Sequence, residues 1–376
     1  MNYIIPFLIL ITIVVFIHEY GHYYFAKRYG VGITDFSIGF GREIFGWNDK
    51  SGTRWKICWI PLGGYVKFFG DRNVFSESEQ QEVINKYNEE DRKKLFILKP
   101  LYQRSIIVAA GPLANFVLAI LIFLIINMIS GKDMTPAVID EVVKDSPAFV
   151  AGMKKNDKII FIDNNKVESI LQVSTFINTS TSEIINFVIL RNDQEISLPV
   201  KPNLVDGEDS LGNSVKKRMI GIKLSPLNNE FNRQPLGPSK AVYYSVKEVW
   251  FVTVTSLNYL GKMITGSADT SQLGGPIRIA KITGQIAEYG LIPFFSIMAY
   301  ISISLGLINL FPIPMLDGGH LLFYFVELIR GKPLGTRSQE YCFRIGFAIV
   351  ILIMAFAIFN DLSRPNVVEF FSQIIN

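Results

Sequence analysis

The chain has only three histidines in 376 residues, two cysteines, and long stretches with no charge at all. Each scarcity excludes something. Cys58 and Cys342 are too few for a disulfide framework, and both fall on or near segments read below as cytoplasmic, where thiols stay reduced and structural. Charged residues make up 19% of the chain and hydrophobic residues 49%, a surface too poor in charge for an ordinary soluble protein. The net charge of +4 sits in the flanks of the apolar runs and requires no nucleic-acid partner.

What is abundant is apolar sequence, in blocks. Ile4 to Ile17 carries no charge, and extended through His18, Glu19 and His22 to Ala26 the run is long enough to cross a hydrocarbon core. Ser105 to Ile129 is a second uncharged run, Leu291 to Leu316 a third, and Ile345 to Phe359 a shorter fourth. Four spans are expected. A cleaved signal peptide would have basic residues ahead of its apolar run, whereas here Lys27 and Arg28 follow it. By the positive-inside rule the N-terminus then lies outside, and the loop from Lys27 to Arg104, with 14 Lys and Arg, lies in the cytoplasm. Arg330, Lys332, Arg337 and Arg344 fall on the same side.

The histidines are not scattered. The stretch FIHEYGH puts His18 and His22 four residues apart, one turn from each other on one helix face, with Glu19 beside them. Two imidazoles at this spacing suit zinc, and a neighbouring glutamate can take a proton from water at an open position. Ionisable groups inside a span are costly unless they face protein or a water-filled cavity, so their presence marks a site near the cytoplasmic end of the first span. Zinc needs a third protein ligand. The third run ends in NLFPIPMLDGGH, where Pro312 and Pro314 cannot continue a regular helix, and non-helical backbone at membrane depth is tolerated where it lines a cavity. Zinc accepts oxygen or nitrogen, which leaves Asp317 and His320 as rival ligands.

HExxH in a first span, GPLANF in a second and NLFPIPMLDGGH in a third together resemble the site-2 protease family of intramembrane zinc metalloproteases, most closely its bacterial RseP type. The resemblance covers nearly the whole chain. It implies zinc held by His18, His22 and Asp317, Glu19 as general base and acid, and Asn309 positioning the scissile backbone or its oxyanion. His320 is then a neighbour. Gly111, Pro112 and Asn115 match the second motif, with Asn115 a candidate for substrate binding; close packing by small residues is the competing reading.

Between the first two spans, Ile33 to Gly70 is rich in aromatic and aliphatic residues around a turn signal at Asn48 to Gly52, and Pro61, Gly63 and Gly64 would break a helix. A β-hairpin or small sheet is expected. The resemblance makes it a membrane-associated β-loop that takes substrate in extended form, with Gly63 and Gly64 as contacts, while Trp47, Trp55 and Trp59 suit an interfacial anchor. Ser76 to Lys94 reads as a solvated segment. Thr135 to Leu224 turns soluble in character, with short alternating strands, turns at Asn164-Asn165 and Asn192-Asp193, and a helix begun by Ser146-Pro147. The order SPAFVAGMKKNDKIIFIDNNKV resembles a PDZ domain, and there is room for one. From Pro235 to Gly290 the helical spacing and charges favour an interfacial helix over a fifth span. It is followed by LGGPIRIA, whose Gly274 and Gly275 the resemblance makes part of a substrate clamp.

The expected fold is thus a polytopic α-helical membrane protein of four transmembrane helices, with a membrane-associated β-hairpin loop and one inserted PDZ domain. Its divisions are a first span at 1–26, a cytoplasmic loop at 27–104, a second span at 105–130 and a PDZ domain at 131–226. A periplasmic amphipathic and clamp region follows at 227–290, then a third span at 291–329, a fourth at 340–361 and a periplasmic tail at 362–376. The resemblance implies a monomer in the bacterial inner membrane, with N-terminus, PDZ domain and C-terminus periplasmic. It would cleave single-span membrane proteins already trimmed by another protease, such as anti-sigma factors or remnant signal peptides. Two other classes compete: a PDZ-bearing adaptor with a structural metal, which has no need of a general base, and a metal transporter, for which the spans carry few carboxylates and show no repeat.

Overall fold

The computed structural model describes residues 3–70, 87–180, 182–208, 214–226, 232–266 and 274–362. Most of the expected solvated segment from Ser76, Leu273 of the clamp motif and nearly all of the expected tail lie outside the described residues. The described chain divides into two compact units, 3–122 with 274–362, and 123–266.

In the first unit, α1 (Ile4–Arg28) buries Leu10, Val14, His18, Gly21 and His22, a stripe at spacings of three and four that fixes which face turns inward. Among the described residues it is one of four helices long and apolar enough to cross a membrane. The others are α3 (Leu101–Ile129, with Pro112 inside it), α8 (Leu291–Asn309), and α10 (Thr336–Leu362). The expected third span is divided. Helix α8 stops at Asn309, and after the turn 310–316 a separate α9 (Asp317–Arg330) begins, as the two prolines require. Arg104 at the start of α3 donates from its two terminal guanidinium nitrogens to Glu327 of α9, at 2.6 and 3.3 Å. Of residues 87–94, the short α2 (Glu89–Arg92) is capped by Asn88, whose side chain accepts from the Asp91 amide.

The loop after α1 forms a sheet from two long bent strands, β1 (Ile33–Asn48) and β2 (Arg54–Phe68). It is more than a hairpin. Residues 45–48 pair across the turn with 54–57, while residues 35–38 are paired on both sides, with 64–67 and again with 54–57. Phe36 and Ser37 at the centre are fully buried, and segment 64–68 pairs on one side only. The far half presents Phe40, Ile44, Phe45, Trp47, Trp59 and Ile60 outward.

In the second unit a four-stranded sheet of order β6-β5-β7-β8 is formed by β5 (Lys158–Ile162), β6 (Asn165–Lys166), β7 (Ile185–Arg191) and β8 (Gln194–Val200). Asn192 and Asp193 both take positive φ, the requirement of a tight two-residue hairpin turn. Helix α5 (Ile170–Thr179) contributes Val173, Phe176 and Ile177 to the core shared with Ile159, Ile162, Phe187 and Ile189. Ser146 caps the short α4 (Pro147–Val150), accepting from the Phe149 amide at 3.2 Å. Small ladders surround the sheet: β3 (Lys132–Asp133) with β12 (Arg233–Gln234), β4 (Ile139–Val142) with β11 (Ile222–Leu224), and β9 (Asn203–Glu208) with β10 (Ser214–Met219). Helix α6 (Pro238–Ile264) is not among the helices apolar enough to span. It buries Ala241, Ser245 and Val249 and exposes Val242, Tyr243, Val246 and Trp250.

The turn of the first sheet is held by one carboxylate. Asp49 accepts from the Ser51 and Thr53 amides at 2.8 and 2.9 Å, the Ser51 hydroxyl at 2.6 Å, Trp55 Nε1 at 3.2 Å and the Tyr23 hydroxyl of α1 at 3.0 Å. Partial burial pushes the Asp49 carboxyl up, but these donors outweigh it and hold it well below the usual carboxylate range. Its stabilising contribution is therefore present above the ordinary pKa of about 4 and lost only as pH falls through the lowered folded value. Asp49→Ala should weaken the turn by about 2 kcal/mol, seen as faster amide exchange over residues 50–55 at pH 7. Unchanged exchange would show that the tie is redundant.

Candidate active site

Helix periodicity brings His18 and His22 together on the buried face of α1, their Nε2 atoms 3.3 Å apart. Asp317, first residue of α9, places Oδ2 3.2 Å from His18 Nε2 and 3.5 Å from His22 Nε2. One donor atom from each residue lies within 4.8 Å of the others, and among the described residues this is the one such group of His, Cys, Asp or Glu. Two imidazole nitrogens and a carboxylate oxygen, converging and largely shielded, fit zinc by donor type and number and leave room for a further ligand. Of the two candidate third ligands, Asp317 lies in this group. His320 is one turn into α9 and meets Phe323 edge-on and Phe343 at a tilt, outside the cluster.

Three further side chains reach the cluster. Glu19 is half-buried in electrostatic contact with His18, His22 and Asp317. Asn309, last residue of α8, sets Nδ2 3.4 Å from His18 Nε2. Asn115 of α3 is fully buried, with Nδ2 3.3 Å from His18 Nδ1.

A family model described as peptidase family M50 matches residues 6–353. The chain belongs to peptidase family M50. A provisionally named zinc metalloprotease of Agrobacterium fabrum is 42% identical over 96% of both chains. Metalloprotease MmpA of Caulobacter vibrioides is 35% identical over 98% of this chain and 97% of its own.

In this M50 chain, glycine makes the close approaches possible. A Cβ at Gly111 would overlap the His22 imidazole, and one at Gly21 would overlap the Ala110 carbonyl, so α1 and α3 meet with no side chain between them. A Cβ at Gly64 would lie 2.7 Å from the Ser37 carbonyl oxygen and 3.2 Å from Glu19 Cγ, which puts the one-sided edge of the sheet directly on Glu19. Gly63 has φ +117 with the Phe40 ring against it. Gly274 and Gly275 are elsewhere, before α7 (Pro276–Glu288), not among the groups that touch the metal donors.

The sequence reading missed Asp361. This carboxylate, 1% exposed in the last turn of α10, accepts from the amides of Gly275 at 2.9 Å and of Ile277 and Arg278 at 3.1 Å each. It caps α7 from another helix. A Cβ at Gly275 would come within 2.6 Å of Asp361 Oδ2, so this glycine is fixed by the cap. The available signal was an acidic residue at the end of an apolar run, satisfied only by donors from outside its own helix.

Two substitutions test this geometry. Gly111→Ala should displace the His22 ring and cut zinc retention about tenfold or more, measured as metal content after dialysis; wild-type content would show that α1 and α3 can part without harm. Asp361→Ala takes the acceptor from three amides, that of Gly275 buried and those of Ile277 and Arg278 partly so, and should cost about 1–3 kcal/mol, read as a lowered melting temperature with faster exchange over residues 277–280.

Proposed function

We propose that this M50 peptidase is an intramembrane zinc metalloendopeptidase that hydrolyses peptide bonds within or near the membrane helices of single-span proteins. One observation carries the reading: His18, His22 and Asp317 converge at the end of an apolar helix with Glu19 beside them. Held by those three residues, zinc supplies Lewis acidity that polarises a peptide carbonyl and acidifies water. The Glu19 carboxylate accepts a proton as the hydroxyl of water adds to the carbonyl carbon, then delivers it to the nitrogen of the breaking bond. The Asn309 amide, facing the same spot, orients the scissile carbonyl. A metal that was merely structural would not need the carboxylate of Glu19 beside it.

A helical substrate has its carbonyls bonded internally and must be unwound before attack. Segment 64–68, paired on one side and packed on Glu19 at Gly64, offers the backbone edge that can hold it extended. The outward Phe40, Ile44, Phe45, Trp47, Trp59 and Ile60 suit a loop dipping into lipid, with Gly63, in β2 against the Phe40 ring, as a substrate contact. Gly274 and Gly275 would act at one remove, through the Asp361-capped α7. We read the four-stranded sheet with α5 as the PDZ domain, screening or binding outside segments, and α6 as an interfacial helix. The flanking Lys and Arg favour an inner-membrane orientation with that domain periplasmic. Substrates of this kind arrive shortened by another protease, as anti-sigma factors and remnant signal peptides do, and one chain holds a complete site, as expected of a monomer.

The test is cleavage of a tagged single-span substrate with helix-breaking residues by purified wild type and Glu19→Gln in one detergent. Glu19→Gln should retain zinc and lose at least about 100-fold in rate. Equal rates would remove Glu19 from the chemistry, and no product from wild type on a trimmed substrate would favour an adaptor.

A further inference from the structure

We propose that Asn115 is the positioning residue for His18: its side-chain oxygen accepts the Nδ1 hydrogen of that imidazole, leaving Nε2 for zinc. The inference rests on the zinc reading above and moves Asn115 from the substrate to the metal. It begins with an unpaired atom. Asn115 is 0% exposed, and its Oδ1 is a buried acceptor with no hydrogen-bond partner. Such a group inside a packed membrane protein calls for an explanation.

A neutral imidazole carries one N–H. In both histidines Nε2 faces Asp317, so a metal at that point takes the Nε2 lone pair and the hydrogen resides on Nδ1. The outer nitrogen then needs an acceptor. His22 has one that cannot be mistaken, the Ile107 carbonyl oxygen 2.9 Å from Nδ1. His18 Nδ1 instead faces Asn115 Nδ2 at 3.3 Å, so two donors meet while Oδ1 goes without. Side-chain amide oxygen and nitrogen have nearly the same shape, and their assignment follows from the hydrogen bonds available. A half-turn of the amide gives His18 its acceptor and Oδ1 its partner.

The placement of Asn115 leaves it no other task. Its backbone carbonyl accepts from the Ser302 hydroxyl at 2.9 Å, and its Cβ would lie 3.3 Å from a Cβ on Gly306, so α8 holds it in place. Ile107, Gly111 and Asn115 recur every four residues on one face of α3: an acceptor for His22, a gap that admits its ring, and an acceptor for His18. Partners of this kind set the tautomer and aim of a ligating histidine.

Zinc dissociation constants by chelator competition, measured with apo-protein melting temperatures for full-length wild type, Asn115→Leu and Asn115→Asp, test the assignment. Asn115→Leu keeps the volume and removes the acceptor, so zinc affinity should fall about 10–100-fold. The apo melting temperature should change little, since without metal the single His18 hydrogen can sit on Nε2 facing Asp317 and no longer needs an acceptor at Nδ1. Asn115→Asp, an acceptor only, should bind zinc at least as well as wild type. Wild-type affinity in Asn115→Leu, or an affinity loss in both variants that follows a lowered apo melting temperature, would overturn the proposal and leave Asn115 a packing residue. Wild type that binds no zinc would instead fail the zinc reading, and this inference with it.

Discussion

Where α1 crosses α3, Gly21 meets the Ala110 carbonyl and Gly111 meets the His22 ring, and neither position has room for a methyl group. That contact determines much else. A carboxylate at the centre of an apolar membrane helix is disfavoured by about 2.5 kcal/mol or more, and imidazoles there are rare, unless polar partners surround them. The partners here are backbone carbonyls and side-chain amides of neighbouring helices, which reach the rings only because the helices nearly touch. The Ile107 carbonyl, already inside a helix, takes His22 as a further donor at 2.9 Å. A bulkier residue at the crossing would separate each ring from its partner and leave charges facing lipid.

The donor set was legible because it obeys local rules. Spacing of four in HExxH needs only helix geometry, and four uncharged runs need only a length and a hydropathy. The break at Pro312 and Pro314 was equally plain, although the expected third span of 291–329 did not say that two helices would result. Asp317 against His320 was not decidable from chemistry, since zinc accepts both. They are three positions apart in α9, almost one turn, and only the seating of that helix turns Asp317 to the two imidazoles and His320 to Phe323 and Phe343.

What escaped sequence reasoning depends on pairing between distant segments. The double pairing of residues 35–38 leaves no trace in alternation, because a strand bonded on both sides reads like one bonded on one side. Asp361 and Gly275 are 86 residues apart, and nothing local announces that the last turn of one helix caps the start of another. Asn115 was visible as part of a motif, but which of its two amide atoms matters is a property of the ring it faces.

The break between α8 and α9 is a geometric necessity for the site. Along an uninterrupted helix, Asn309 and Asp317 would stand about 12 Å apart, too far for both to reach one imidazole nitrogen. Yet Asn309 Nδ2 lies 3.4 Å and Asp317 Oδ2 3.2 Å from His18 Nε2. The chain must double back within seven residues. It does so with two prolines that stop the first helix and with Met315 at φ 94, a region that non-glycine residues seldom enter. Gly318 and Gly319 then let the second helix begin against the Leu310, Phe311 and Ile313 carbonyls, where a side chain would overlap them. The strain of one methionine and the absence of two side chains are thus tied to one demand, that the end of one helix and the start of the next meet at the same nitrogen.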